Sequence, residues 1–253
     1  VKLAAFAKIN LSLNVFEKRS DNFHELESIM QSVSLCDYVT VIPTASGIEI
    51  SCDDPTIPLN EQNTCYKAAK LALKSGGVKI YIEKNIPVAA GLAGGSADAA
   101  AVLLALNAPE LAAQVGSDVP FCLVGGTCLV KGRGEIVEPI EPWPPTYYIL
   151  VYPDIRISAK QAYEKFDQLK IRVPEGIKND LEPGVVDLFP MIGEIKEKLV
   201  KLGCSEAQMS GSGSTVFGLA KHKADAEKIF QAIKADYPKS FLVEPVNKGV
   251  EYV

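Results

Sequence analysis

A run of small residues wedged between two regular elements constrains this chain more than any other segment. Pro87-Val88-Ala89-Ala90-Gly91-Leu92-Ala93-Gly94-Gly95-Ser96-Ala97-Asp98 follows an alternating β-type run at Val78–Glu83 and leads into an Ala/Leu helix expected at Asp98–Asn107. Glycines let backbone N–H groups approach an anion without a Cβ in the way, and a helix N-terminus adds the positive end of its dipole. Glycine content alone would favour a plain connection. The run lacks the GK[ST] ending of a Walker loop and the GxGxxG spacing of a dinucleotide site. A phosphate bound here requires a different design.

The rest of the chain limits what such a loop serves. A net charge of −5 and a pI near 5.3 argue against nucleic acid as a partner, because that needs a basic face to displace counterions. The longest apolar stretches, such as Ala99–Leu106 and Tyr147–Tyr152, fall short of the roughly 20 residues of a membrane span. No signal segment is expected, since Lys2 is soon followed by the polar Lys8, Asn10 and Ser12. The cysteines never form CxxC and the histidines are only His24 and His222, so zinc spacing is absent. Such scattered thiols suit reduced core residues of a cytosolic protein.

Elements can be placed along the chain. Ile9, Leu11, Leu13 and Val15 alternate with Lys8, Asn10, Ser12 and Asn14, which predicts a strand with one core face and one strongly polar face. Further strands are expected at Tyr38–Ile42, Gly47–Cys52, Tyr148–Tyr152, Thr215–Leu219 and Phe241–Val246, with a hairpin at Gly125–Val137. Helices are expected over Asn63–Ser75, stopped by Gly76-Gly77, and near Ala159–Leu169, Met191–Leu202 and Ala224–Asp236. The proline-rich Glu138–Pro145 is the best linker, dividing the chain into residues 1–145 and 146–253. Without regular βαβ alternation, an α+β fold of two lobes is expected.

Three segments in order carry a family resemblance: Lys8-Ile9-Asn10-Leu11, the Pro87–Ala97 loop, and Ser210-Gly211-Ser212-Gly213-Ser214-Thr215-Val216-Phe217. Together they resemble the motifs of the GHMP kinases, whose second motif has the form PxxxGLGxSxA. The resemblance implies a two-lobed GHMP kinase fold with the active site in the cleft between lobes, ATP and Mg²⁺ as cofactors, and a small-molecule alcohol as acceptor. Ala93 stands where the family has Gly, a change tolerated if that residue does not need a positive φ. A narrower resemblance is to the branch whose alcohol carries a cytidine diphosphate. Arg19-Ser20-Asp21-Asn22-Phe23-His24-Glu25-Leu26, Gly116-Ser117-Asp118-Val119-Pro120-Phe121 and Asn179-Asp180-Leu181-Glu182-Pro183 carry it. Asn22-Phe23 replaces the usual Gly-Tyr there, and the chain is short between Asn107 and Gly116 and between Leu169 and Asn179.

By this resemblance Asp118 is the base that accepts the hydroxyl proton and Lys8 the cation beside it, both catalytic. A helix N-cap is the competing reading of Asp118. Pro87 to Ala97 would bind ATP, and the Ser96 hydroxyl would lie near Mg²⁺, with Asp98 an alternative helix cap. Asn10, Phe23, His24, Tyr163, Ser212 and Gly213 would bind substrate, His24 at the edge of cytosine. For Tyr163, stacking on the base and a core-facing helix position weigh equally. Lys131 and Arg133 read as solvated hairpin charges. Another GHMP kinase such as a homoserine kinase, or a catalytically silent sensor on the same scaffold, stays open. The expected compartment is a bacterial cytoplasm, with a plastid stroma as the other option.

Overall fold

The computed structural model describes residues 1–142, 146–169 and 178–253. Pro144 and Pro145 of the expected linker, and most of the short segment before Asn179, lie outside the described residues. The chain runs β1 (Lys2–Lys18), β2 (His24–Thr44), β3 (Gly47–Cys52), α1 (Thr64–Ala72), β4 (Gly77–Glu83), α2 (Gly94–Ala105), α3 (Ala112–Val115), α4 (Val119–Val124), β5 (Thr127–Gly132) and β6 (Ile136–Pro139). It continues through β7 (Tyr147–Val151), α5 (Ala159–Leu169), α6 (Glu182–Leu188), α7 (Met191–Lys201), β8 (Glu206–Met209), β9 (Val216–Ala220), α8 (Lys223–Lys234), β10 (Ser240–Val243) and β11 (Val250–Tyr252).

Two sheets form the two lobes of an α+β fold. The first has seven described strands, with β11-β1-β2-β4-β3 side by side and the β5–β6 hairpin attached to β2. The second is β10-β7-β9-β8. Strand β2 pairs with β1 along one edge and with two strands in turn along the other: Leu26–Gln31 pair with β5, and Tyr38–Thr44 with β4. Its first half is absent from the sequence expectation because His24–Asp37 lacks a clean period of two. The last strand, β11, pairs with β1, so the end of the chain joins the N-terminal lobe.

Strand β1 departs from the expected alternation in an informative way. Asn10 pairs with Met30 but Ser12 pairs with Ile29, so the register slips by one at a bulge between them. Such a slip moves the following side chains to the other face. Ala7, Ile9 and Leu11 therefore pack with Tyr148, Leu150 and Phe217 of the second sheet, while Leu13 and Val15 join the core of the first lobe. Lys8 and Asn10 share the face of Leu13, and both are buried rather than solvated.

Helix α2 lies under the first sheet. Its residues Ala97 to Leu103 are buried without a break, as expected of a helix that is apolar all round. Its small side chains allow close approach, and the fully buried Leu103 adds about 1.5–3 kcal/mol of burial. The helix begins at Gly94, inside the loop and four residues before the expected start. Helix α1 is capped by Asn63, whose side chain accepts from the Cys65 N–H at 2.8 Å.

Candidate active site

Two cavities meet on the glycine-rich loop. The larger, about 760 Å³, is lined by Lys8, Asn10, His24, Asp118, Arg133 and Tyr163 among others. The smaller, about 310 Å³, lies between the loop and the Ile57–Thr64 segment. Ala89, Gly91, Ala93 and Ser96 line both, so the loop is their common wall. Pro87, Val88, Ala90, Gly94 and Gly95 face only the smaller cavity. Leu92 and Ala97 are buried and anchor the loop in the core instead of lining either space.

The loop conformation corrects one expectation. Ala93, the N-cap of α2, has φ +58° and ψ +27°, and Ala89 also has φ +53°. Both sit in the left-handed region that disfavours a Cβ, so the Gly-to-Ala change at 93 is accommodated at the cost of strain. Gly91 has no such option. At φ +77°, a Cβ there would come within 2.2 Å of the Ser210 carbonyl oxygen.

That closeness records how the third motif packs on the second. The Ser210 hydroxyl donates to the Gly91 carbonyl at 3.0 Å, and the Thr215 N–H donates to the Ala90 carbonyl at 3.1 Å. Ser212 lines the larger cavity. Gly213 packs behind it, where a Cβ would meet Met209.

Lys8 joins the first two motifs to Asp118. Its Nζ donates to Asn10 Oδ1 at 2.6 Å, lies 3.4 Å from the Gly91 carbonyl and 3.8 Å from Asp118 Oδ2. Asn10 is fixed in turn, donating from Nδ2 to Ser28 Oγ at 2.8 Å. Asp118 occupies the N-cap position of α4, but its side chain makes no capping hydrogen bond. Its carboxylate, one-third exposed, is left toward the cavity beside the Lys8 ammonium. A proton acceptor next to a buried cation suits deprotonation of a hydroxyl and stabilisation of the oxyanion formed.

Below the loop lies a cluster that sequence reasoning missed. Lys84 pairs with Asp37 and, at 2.9 Å, with Asp98, and all three side chains are buried. Asp37 also accepts from the N–H groups of Asn85 (2.6 Å) and Ile86 (2.8 Å). The cluster thus ties β2, the start of the loop and α2 together. Asp98 is not a helix cap: it sits one turn into α2. Burial, with Asp37 sharing the same cation, pushes its carboxyl up to about 7.

At the far end of the larger cavity, α5 reaches across from the second lobe. The rings of His24 and Tyr163 stack at 5.1 Å with an interplanar angle of 21°, which leaves no room for a base between them. His24 Nε2 lies 2.8 Å from Asp167 Oδ1. A carboxylate only accepts, so Nε2 carries the proton. Burial pushes the Tyr163 phenol up to about 12, so it stays neutral. Phe23 is half exposed, and the Arg133 guanidinium lies 5.2 Å from its ring centre. Arg133 therefore belongs to the cavity wall, not to a solvated hairpin tip.

The segments 63–126 and 160–239 match the family models described as GHMP kinases N terminal domain and GHMP kinases C terminal. A 4-diphosphocytidyl-2-C-methyl-D-erythritol kinase of Syntrophomonas wolfei is 39% identical over 275 residues, covering 95% of this chain and 96% of the relative. A crystal structure of 4-(cytidine 5'-diphospho)-2C-methyl-D-erythritol kinase superposes with a TM-score of 0.82 at 34% identity, covering 97% of this chain and 99% of that one. The chain belongs to this family of GHMP kinases. As a GHMP kinase it uses ATP. A homoserine kinase from Cytophaga hutchinsonii superposes with a TM-score of 0.74 at 20% identity and shares the fold alone. The 275-position alignment is longer than this chain of 253 residues, so the Syntrophomonas kinase carries segments absent here. Among the described residues no helix is long and apolar enough to cross a membrane.

Within this GHMP kinase, two of the missed residues left a local signal. Asp167 is one helical turn beyond Tyr163, hence on the same face. Arg133 stands between two glycines in Gly132-Arg133-Gly134-Glu135. Lys84 and Asp37 left none, because their partnership spans 47 residues.

Proposed function

We propose that this chain transfers the γ-phosphoryl group of ATP to the 2-hydroxyl of 4-diphosphocytidyl-2-C-methyl-D-erythritol, a step in non-mevalonate isoprenoid precursor synthesis. The observation that carries this reading is that two cavities share one glycine-rich wall, with Lys8 and Asp118 in the larger beside it. ATP occupies the smaller cavity, held mainly by residues 1–145, with its phosphates at the first-turn N–H groups of α2. The alcohol occupies the larger, to which residues 146–253 contribute Tyr163 and Ser212. Asp118 accepts the hydroxyl proton while Lys8 stabilises the nascent alkoxide, and Asn10 holds Lys8 in line.

The acceptor's base belongs at the Phe23, His24 and Tyr163 end. His24 offers ring and backbone groups to the edge of cytosine, and Phe23 offers a half-exposed face. Tyr163 must leave the imidazole before it can stack on the base. Mg²⁺ arrives bound to the phosphates of ATP, a mode that needs only one or two protein oxygens. The Ser96 hydroxyl, on the wall common to both cavities, fits that demand. When bound, the ion neutralises phosphate charge. Six free thiols and the absence of a spanning helix among the described residues accord with a cytoplasmic enzyme.

The test is ADP release over a panel of alcohols containing the cytidine diphosphate substrate, its uridine analogue and homoserine. Turnover should be confined to the first. Replacing cytosine by uracil reverses donor and acceptor at one edge, which costs roughly 1–3 kcal/mol per unmatched group. Equal turnover of the two nucleotides, or faster phosphorylation of homoserine, would overturn the assignment.

A further inference from the structure

Resting on that reading, we infer that Arg133 binds the diphosphate joining the base to the alcohol. The acceptor has its base at one end and its reacting hydroxyl at the other. If the base lies at Phe23 and the hydroxyl at Asp118, the dianionic linker must cross the wall between them. Arg133 is on that stretch of wall. Its guanidinium reaches over the Phe23 ring, and the next residue, Gly134, packs against Ser117, the neighbour of Asp118, where a Cβ would lie 3.1 Å from the Ser117 carbonyl oxygen.

The turn around Arg133 presents its charge unneutralised. Glu135, the nearest acid in sequence, folds back and accepts from the Arg133 backbone N–H at 2.7 Å. Gly132 adopts φ +75° to make that turn. Among the described residues no carboxylate pairs with the guanidinium, whose one hydrogen bond is a long 3.4 Å contact to the Ala113 carbonyl. The other cations lining the cavity are engaged: Lys8 with Asn10 and Asp118, Lys18 with Asp167, Lys160 with Glu164. An unpaired guanidinium set over an aromatic ring, facing a cavity, suits bidentate capture of phosphate.

The experiment compares binding of CDP and cytidine to the full chain, with the nucleotide site filled by a non-hydrolysable ATP analogue. The wild type should bind CDP about ten- to a hundredfold more tightly than cytidine, the range of a charge-assisted contact. In Arg133→Met that preference should fall to within about threefold while cytidine affinity is unchanged, and Arg133→Lys should restore part of it. Arg133→Gln, which keeps a polar stem, replaces the Met variant if the latter does not fold, with affinity for the ATP analogue as the check. A CDP preference that survives loss of the charge overturns the inference and leaves the proposed function standing. Equal loss of CDP and cytidine binding also overturns it, since Arg133 would then only shape the base site. A wild type that binds neither ligand overturns the proposed function itself.

Discussion

At the scale of single residues, the proposed chemistry rests on a few atoms. Lys8 and Asp118 come from opposite ends of the N-terminal lobe and meet at 3.8 Å because the β1 bulge and the start of α4 converge on the loop. Since neither touches the smaller cavity, Lys8→Met and Asp118→Asn are expected to lower kcat by about 10²–10⁴-fold with little change in KM for ATP. Steady-state kinetics on folded variants checks this; a drop of only a few-fold in Asp118→Asn would mean that another group takes the proton. Ala93 makes a different point. Its left-handed conformation costs about 1–2 kcal/mol, more than the roughly 0.4–1 kcal/mol of unfolded-chain entropy that a glycine adds. Ala93→Gly should therefore raise stability by about 0.5–1 kcal/mol, visible as a Tm gain of about 1–3 °C.

Elements fix where those residues stand. The loop is held from below by Lys84, Asp37 and Asp98, and removing one partner from a buried ionic cluster typically costs about 3–5 kcal/mol. Lys84→Met is expected to destabilise by that much, because it strands two carboxylates. Asp98 has the opposite tendency with pH. Its folded carboxyl stands at about 7 against about 3.9 unfolded, so between those values the folded state keeps a proton that the unfolded state has released. Its contribution to stability is full below about pH 4 and is lost as pH rises through about 7. Thermal melts should show wild-type stability falling over that window relative to Asp98→Asn; parallel profiles would refute the shift. On the other side of the loop, a Cβ at Gly95 meets only Thr64 Oγ1, at 3.3 Å. Gly95→Val should thus fold, yet weaken ATP binding about tenfold or more, equivalent to losing one hydrogen bond to a charged group, about 1.5–3 kcal/mol. Unchanged nucleotide affinity by calorimetry would place the phosphates elsewhere.

For the molecule as a whole, the two lobes are not independent units. The apolar face of β1 forms a core with the second sheet, and β11 returns from the end of the chain to pair with Leu3–Ala5. Deleting Val250–Val253 removes that ladder and is expected to cost about 2–5 kcal/mol, the sum of a few net backbone hydrogen bonds. Calorimetry should show one transition shifted down. A first transition that splits away from an unchanged second would show that the lobes melt separately.

Sequence alone determined what local chemistry dictates. The glycine-rich loop was legible because glycines, a strand before and a helix after occur within one short segment. Helix α5 was legible at Ala159–Leu169 from its periodicity, and the linked motifs pointed to Lys8, Asp118 and His24. What only the tertiary structure decided depends on contacts between distant segments. The β1 bulge, set by pairing with β2, turned Leu13 and Val15 onto the face of Lys8 and buried that polar face inside a cleft. The partners of Asp98, His24 and Gly91 are 14 to 143 residues away in the chain. Arg133 lies in a segment that reads as an ordinary hairpin tip, and its place beside Phe23 exists only because β5 pairs with the first half of β2. Periodicity reports which side of an element meets the core. It does not report which two elements will face each other across a cleft.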